Sequence, residues 1–202
     1  MTELDLKIMK TAIVLGADRV GKTTLIEKSS QLLSDIGKNP YRLHFSGVLP
    51  QHNSPIDQFL EPFSLASFHD VDYLFCDRFS PEALFYEAYR CKSGSHPHEY
   101  SHVVESFYME KSEDLRVVLL CPYWNDTIKA RHEIELRLDY PRGTEWWINK
   151  MLINREQEHI AYYEFMTDYL ENHSLFKSDQ IVYWSSPVDN IFDILPEYTP
   201  NV

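Results

Sequence analysis

The sequence predicts a three-layer α/β domain, with a parallel sheet of five strands covered by helices on both faces. Short runs of apolar and β-branched residues recur at Thr11–Leu15, Tyr41–Phe45, Tyr73–Cys76, Arg116–Cys121 and Ile181–Trp184. Stretches with apolar residues at helical spacing lie between them. Strands that alternate with helices are joined by crossovers, so they run parallel and both sheet faces become covered. A chain of 202 residues, 44% of them hydrophobic, is long enough to bury one core. No Pro/Gly/Ser-rich stretch divides it, and the expectation is a single domain over residues 1–202.

In chain order, the first strand leads into a glycine-containing turn. The stretch Thr23–Ile36 then sets Leu25, Ile26, Leu32, Leu33 and Ile36 at roughly helical spacing. Ser46–Asp72, broken by Pro50, Pro55 and Pro62, holds a helix around Ile56–Phe68 and is long enough to wall a pocket. Pro81–Arg90 reads as a helix with proline in its first turn, and Glu99–Lys111 as another, with Gly94 and Pro97 marking the break. A long helix is expected from about Thr144 to Asn172, with Trp146, Trp147, Met151, Ile160, Phe165, Tyr169 and Leu170 as candidates for its buried stripe. The pairs Trp146-Trp147 and Tyr162-Tyr163 each read as one core and one surface residue.

The net charge of −12 argues against nonspecific holding of a polyphosphate backbone, which relies on clustered Lys and Arg. The one basic concentration, Lys129, Arg131, Arg137 and Arg142, is interleaved with Glu133, Glu135 and Asp139, and reads as a ligand-responsive loop. Cys76, Cys91 and Cys121 lack metal-type spacing, which fits a reduced, cytoplasmic setting. No stretch approaches the ~18 apolar residues of a membrane span, and Met1–Lys10 lacks the apolar region of a signal peptide.

The chemistry concentrates in Gly16-Ala17-Asp18-Arg19-Val20-Gly21-Lys22-Thr23-Thr24, which fits G-x-x-x-x-G-K-[ST] between a strand and a helix. In such a loop, called a P-loop, backbone N–H groups and the helix N-terminus converge on phosphate oxygens. Lys22 would reach the β and γ phosphates, and the Thr23 hydroxyl would ligate Mg²⁺. A nucleoside triphosphate such as ATP is therefore the expected ligand, on a P-loop NTPase sandwich. Two further motifs fall at strand ends, where open α/β sheets bind ligands. Asp77-Arg78-Phe79 offers a carboxylate for the Mg²⁺ shell or an acceptor hydroxyl, and a guanidinium for an anionic acceptor. Asn125–Glu145 offers a mobile lid in which Arg131 and Arg137, with Arg142 third, would meet transferred charge. The blander reading of those arginines is an exposed amphipathic helix held by Glu–Arg pairs.

With these motifs in place, the chain resembles a thymidylate-kinase-type P-loop nucleotide kinase. The resemblance implies that Asp18 approaches the acceptor sugar and Arg19 the transferred phosphoryl. It also implies that Phe85, Tyr86 and Tyr89 line a base pocket, that Ser185-Ser186-Pro187-Val188 holds adenine, and that the chain forms a homodimer. Two departures fall on the acceptor side. His44-Phe45-Ser46-Gly47-Val48-Leu49-Pro50 stands where the family has Glu-Pro-Gly, and Ser80-Pro81-Glu82-Ala83-Leu84-Phe85-Tyr86-Glu87 replaces the element whose Gln reads thymine.

The leading expectation is Mg²⁺-dependent transfer of the ATP γ-phosphoryl to a deoxynucleoside monophosphate or nucleoside, with a deoxypyrimidine preferred. One alternative acts on a hydroxymethylated pyrimidine within DNA. Another is a nucleotide switch, although the only Asn-Lys, Asn149-Lys150, continues into Met151-Leu152 inside the long helix and is not a guanine reader. His96-Pro97-His98 with His102 reads as a polar loop in preference to a metal site.

Overall fold

The computed structural model describes residues 9–45, 56–68, 70–91, 98–186 and 189–200. Five strands, β1 (Met9–Leu15), β2 (Pro40–His44), β3 (Tyr73–Asp77), β4 (Ser112–Leu120) and β5 (Ile181–Trp184), form one sheet in the order β2-β3-β1-β4-β5. Every pairing is parallel. All five carboxyl ends therefore share one edge, with β1 at the centre.

The strand alternation divides the core in two. Ile13 and Leu15 of β1 join Leu74, Val117 and Leu119 on one face. Helices α2 (Asp57–Phe68), α3 (Ser80–Tyr86), α4 (His98–Lys111) and α6 (Glu145–Asn172) cover that face through Phe59, Leu84, Tyr108, Tyr162 and Met166. Ala12 and Val14 join Phe75, Val118 and Leu120 on the other face, covered by Leu25, Ile26 and Leu33 of α1 (Lys22–Asp35) and by Ile191–Tyr198 in the C-terminal turns. This two-sided burial is why β1 and β4 read as nearly continuous apolar runs.

Helix α5 (Asp126–Asp139) stands apart from the sheet. The segment expected as a loop is a 14-residue helix, opened by Asn125, whose side chain accepts from the Ile128 N–H. Its Leu136 packs with Ile148 and Leu152 of α6 in a small separate core. Trp124 at its root lies between the rings of His132 and His159, at 5.4 and 5.3 Å.

Two helix readings need correction. Pro81–Arg90 is not one α-helix: α3 ends at Tyr86 and Glu87–Cys91 widens into a π-turn. The buried residues of α6 are Ile148, Leu152, His159, Tyr162, Met166, Tyr169 and Leu170, whereas Trp146 and Ile160 are 71% and 50% exposed. Apolar residues occupy consecutive positions at 146–148 and 151–153, so size and polarity do not fix the phase of this helix. Its packing against α5 does. Among the described residues, no helix is long and apolar enough to cross a membrane.

Candidate functional site

The glycine loop begins where β1 ends. A Cβ at Gly16 would lie 2.8 Å from Val20 Cγ2 and 3.0 Å from the Leu120 carbonyl oxygen, so the backbone can pass there only without a side chain. Gly21 has φ +103° and occupies the N-cap of α1, with no side chain capping the helix. The first-turn amides have no intrahelical acceptor. They open onto a cavity of about 610 Å³ whose walls include Lys22, Thr23, Asp77 and Arg78.

Lys22 is only 6% exposed. Its ammonium donates to the carbonyls of Gly16 and Ala17 and lies 3.9 Å from Glu82. Burial pushes Lys22 below its ordinary pKa against the pull of Glu82. Burial likewise pushes Glu82 above its own, against the charges of Lys22 and Arg78. Glu82 is a buried brace: it accepts from the Tyr162 hydroxyl at 2.5 Å, from Phe79 N–H at 3.2 Å and from Gly16 N–H at 3.4 Å. Tyr162 in turn accepts from Gly16 N–H at 2.8 Å. Tyr163, the less buried of the pair expected to divide between core and surface, bridges the loop to β4, accepting from Ala17 N–H and donating to the Leu120 carbonyl at 2.6 Å.

Asp77 ends β3 and is 1% exposed. Its Oδ2 accepts from Thr23 Oγ1 at 2.7 Å and Arg42 at 3.0 Å, with His44 Nδ1 at 3.1 Å. Burial opposes its ionisation, but the hydrogen bonds from Thr23 and His44 and the charge of Lys22 outweigh burial and hold it below the usual carboxylate range. Asp77 Oδ1 is buried with no partner among the described residues. A buried acceptor beside the Thr23 hydroxyl is a donor set that suits an oxygen-loving cation or its bound water. Among the described residues, no cluster of three or more His, Cys, Asp or Glu could hold a metal ion, so such a cation would draw its remaining ligands from phosphate and water.

Asp18 is clamped by Arg78 at 2.7 Å and Arg90 at 3.0 Å. Burial disfavours its charge, yet Arg78, Lys22 and Arg90 together keep the carboxyl far below its ordinary range. The π-turn carries Arg90 onto the Tyr86 ring, 4.3 Å from its centroid, with Arg78 at 5.4 Å. Phe85 and Tyr86 are buried at 3% and 2%, while Tyr89 is 39% exposed and stacks on Phe85.

Of the lid arginines, Arg131 reaches the loop: it donates to the Arg19 carbonyl at 2.9 Å. It lines both the 610 Å³ cavity and a second one of about 580 Å³ walled by Val20, Leu25, Leu120, Trp184, Ser185 and Ser186. Arg137 does not line either cavity. It pairs on the outer surface with Glu133 and Glu145, which is the amphipathic-helix alternative. Arg142 also lines neither cavity. Val20 and Thr24 wall the second cavity, whereas Pro187 and Val188 lie outside the described residues, as do His96 and Pro97. His102 lies 2.6 Å from the His173 carbonyl.

Sequence reasoning did not find Glu82, Tyr162, Tyr163, Arg42, Arg90 or Glu135. The signal for Glu82 was an acid inside Pro81-Glu82-Ala83-Leu84-Phe85, an apolar setting where an unpaired charge is costly. The fold is thus an α/β sheet with a glycine loop, a cation-suited acid and two adjoining cavities at one edge. Compared with known proteins, the chain matches no family model and no curated protein.

Proposed function

We propose that the protein is a P-loop kinase that uses ATP and Mg²⁺ to phosphorylate a nucleoside monophosphate, in the manner of thymidylate-kinase-like enzymes. One observation carries this reading. The two cavities meet at Gly21, Thr24 and Arg131, so a base seated against Leu25 and Trp184 would send its phosphates along the N-terminus of α1 toward Asp77 and Arg78. Phosphoryl transfer needs this alignment and fixed positive charge more than covalent help.

In this reading Lys22 and the loop amides bind the triphosphate, and Thr23 with Asp77 holds Mg²⁺, which neutralises charge on the phosphates when bound. Arg19 and Arg131 stand at the cavity wall where transferred charge would develop. Arg78 is the candidate for the acceptor's own phosphate. The preference for a monophosphate follows from Asp18 and Asp77. Asp18 is held by Arg78 and Arg90 and Asp77 is given over to the cation, so neither carboxyl is free to take a hydroxyl proton. A phosphate oxygen is already a nucleophile and needs no strong base.

The test is incubation with Mg²⁺ and γ-labelled ATP against deoxynucleosides, deoxynucleoside monophosphates and duplex DNA with and without hydroxymethyluracil. Label on a monophosphate is the expected result. Label only on a nucleoside or modified DNA, or released solely as phosphate, would replace this reading with one of its alternatives.

A further inference from the structure

One turn of α5 grips a single residue of the glycine loop from two sides. Arg131 donates to the Arg19 carbonyl at 2.9 Å. Four residues on, Glu135 accepts from Arg19 Nε at 3.0 Å and also from Nη2. The carboxylate thus takes the fork of the guanidinium in the geometry that a phosphoryl group would use. Arg19 has φ 68°, a left-handed conformation uncommon for a side-chain-bearing residue. Arg19 and Glu135 both line the 610 Å³ cavity, and their side chains are 44% and 28% exposed.

We infer that Glu135 is a positioning residue acting through Arg19: it holds the guanidinium at the cavity wall until a γ-phosphoryl oxygen displaces it, and the displacement unlatches α5 from the loop. This rests on the nucleotide-kinase reading above. A partly exposed ion pair is weak enough to exchange, and a triphosphate terminus carries more negative charge than the single carboxylate it replaces. Glu135 has a second neighbour, His132 Nδ1 at 3.9 Å, so it remains near a polar group on its own helix once Arg19 leaves. Arg131 would be freed from the Arg19 carbonyl by the same movement. Nucleotide binding and lid position then become one equilibrium, since the ligand competes with a lid residue for a loop residue.

The experiment is equilibrium binding of a non-hydrolysable ATP analogue and of ADP, each with Mg²⁺, to the full chain and its variants. Glu135→Gln should bind the ATP analogue tighter by on the order of fivefold, the factor that an ion pair of this exposure represents. Its ADP affinity should not change, because ADP lacks the competing group. Glu135→Asp, which keeps the charge, should stay near wild type, and Arg19→Met should erase the gain of Glu135→Gln in the double variant. Unchanged or weaker binding in Glu135→Gln, an equal gain for ADP, or a gain that survives Arg19→Met would overturn the inference and leave the kinase reading intact. A wild-type chain that binds no Mg²⁺-nucleotide would overturn both.

Discussion

The glycine loop and helix α5 both present arginine and acid to the same cavity, but they hold these charges differently. Around the loop, Lys22, Glu82 and Asp77 are 6%, 1% and 1% exposed, and Tyr162, Thr23, Arg42, His44 and backbone groups complete their contacts. Where α5 meets the cavity, the Arg19–Glu135 pair is partly open to solvent, with its side chains 44% and 28% exposed. Buried charges fix geometry because losing one partner strands the other. Exposed pairs can be exchanged at little cost. One cavity therefore has a rigid wall and an adjustable one.

The sharpest way to break this contrast is Lys22→Met. On the proposed kinase reading it should lower phosphoryl transfer by about 10³-fold, the scale of removing a preorganised charge, read in the labelled-ATP assay. A variant retaining most of its rate would remove the rigid wall from the mechanism. Next comes Glu82→Ala, which takes the carboxylate from beside the buried Lys22 charge and the acceptor from the Phe79 amide and the Tyr162 hydroxyl. It should cost about 3 kcal/mol in urea unfolding, whereas a loss like that of a surface pair would show that the brace is dispensable. Tyr162→Phe removes one hydroxyl that serves both Gly16 and Glu82 and should cost about 1–2 kcal/mol.

Asp18→Asn tests the same wall through pH. The folded pKa of Asp18 is depressed, so its contribution is present above the unfolded value of about 3.8 and is lost as pH falls through the folded value. The variant should be less stable than wild type at pH 7, and the two unfolding curves should converge in strong acid. Parallel curves across that range would contradict the pairing with Arg78 and Arg90. The smallest effect belongs to the outer surface of α5, away from both cavities. Arg137→Ala should shift stability by less than about 0.5 kcal/mol and leave transfer within about twofold. A large loss of activity would return Arg137 to the site.

The centre of the sheet was legible in the sequence because burial on both faces makes β1, β3 and the end of β4 compact apolar runs bounded by polar turns. The glycine loop was legible because its spacing reflects backbone constraints at Gly16 and Gly21. The supporting groups were not. Tyr162 meets Gly16 across 146 positions and Glu82 meets it across 66, and neither pairing leaves a local pattern. The two lid arginines were separable once a helix was assumed. Arg131 and Glu135 are one turn apart on a shared face, whereas Arg137 falls about 240° further round than Arg131. On α6, apolar residues on nearly every side hid the buried stripe, and the neighbouring helix chose its phase.

The central place of β1 also governs when this molecule can first act. Its partners are β3, which starts at Tyr73, and β4, which starts at Ser112, and the tyrosines that brace its loop come later still, at 162 and 163. During synthesis β1 must wait for neighbours encoded far downstream, so the nascent chain closes long loops before its centre is paired. A ligand for the glycine loop would accordingly recognise only chains that have completed nearly the whole fold, and would serve as a reporter of maturation as well as of activity.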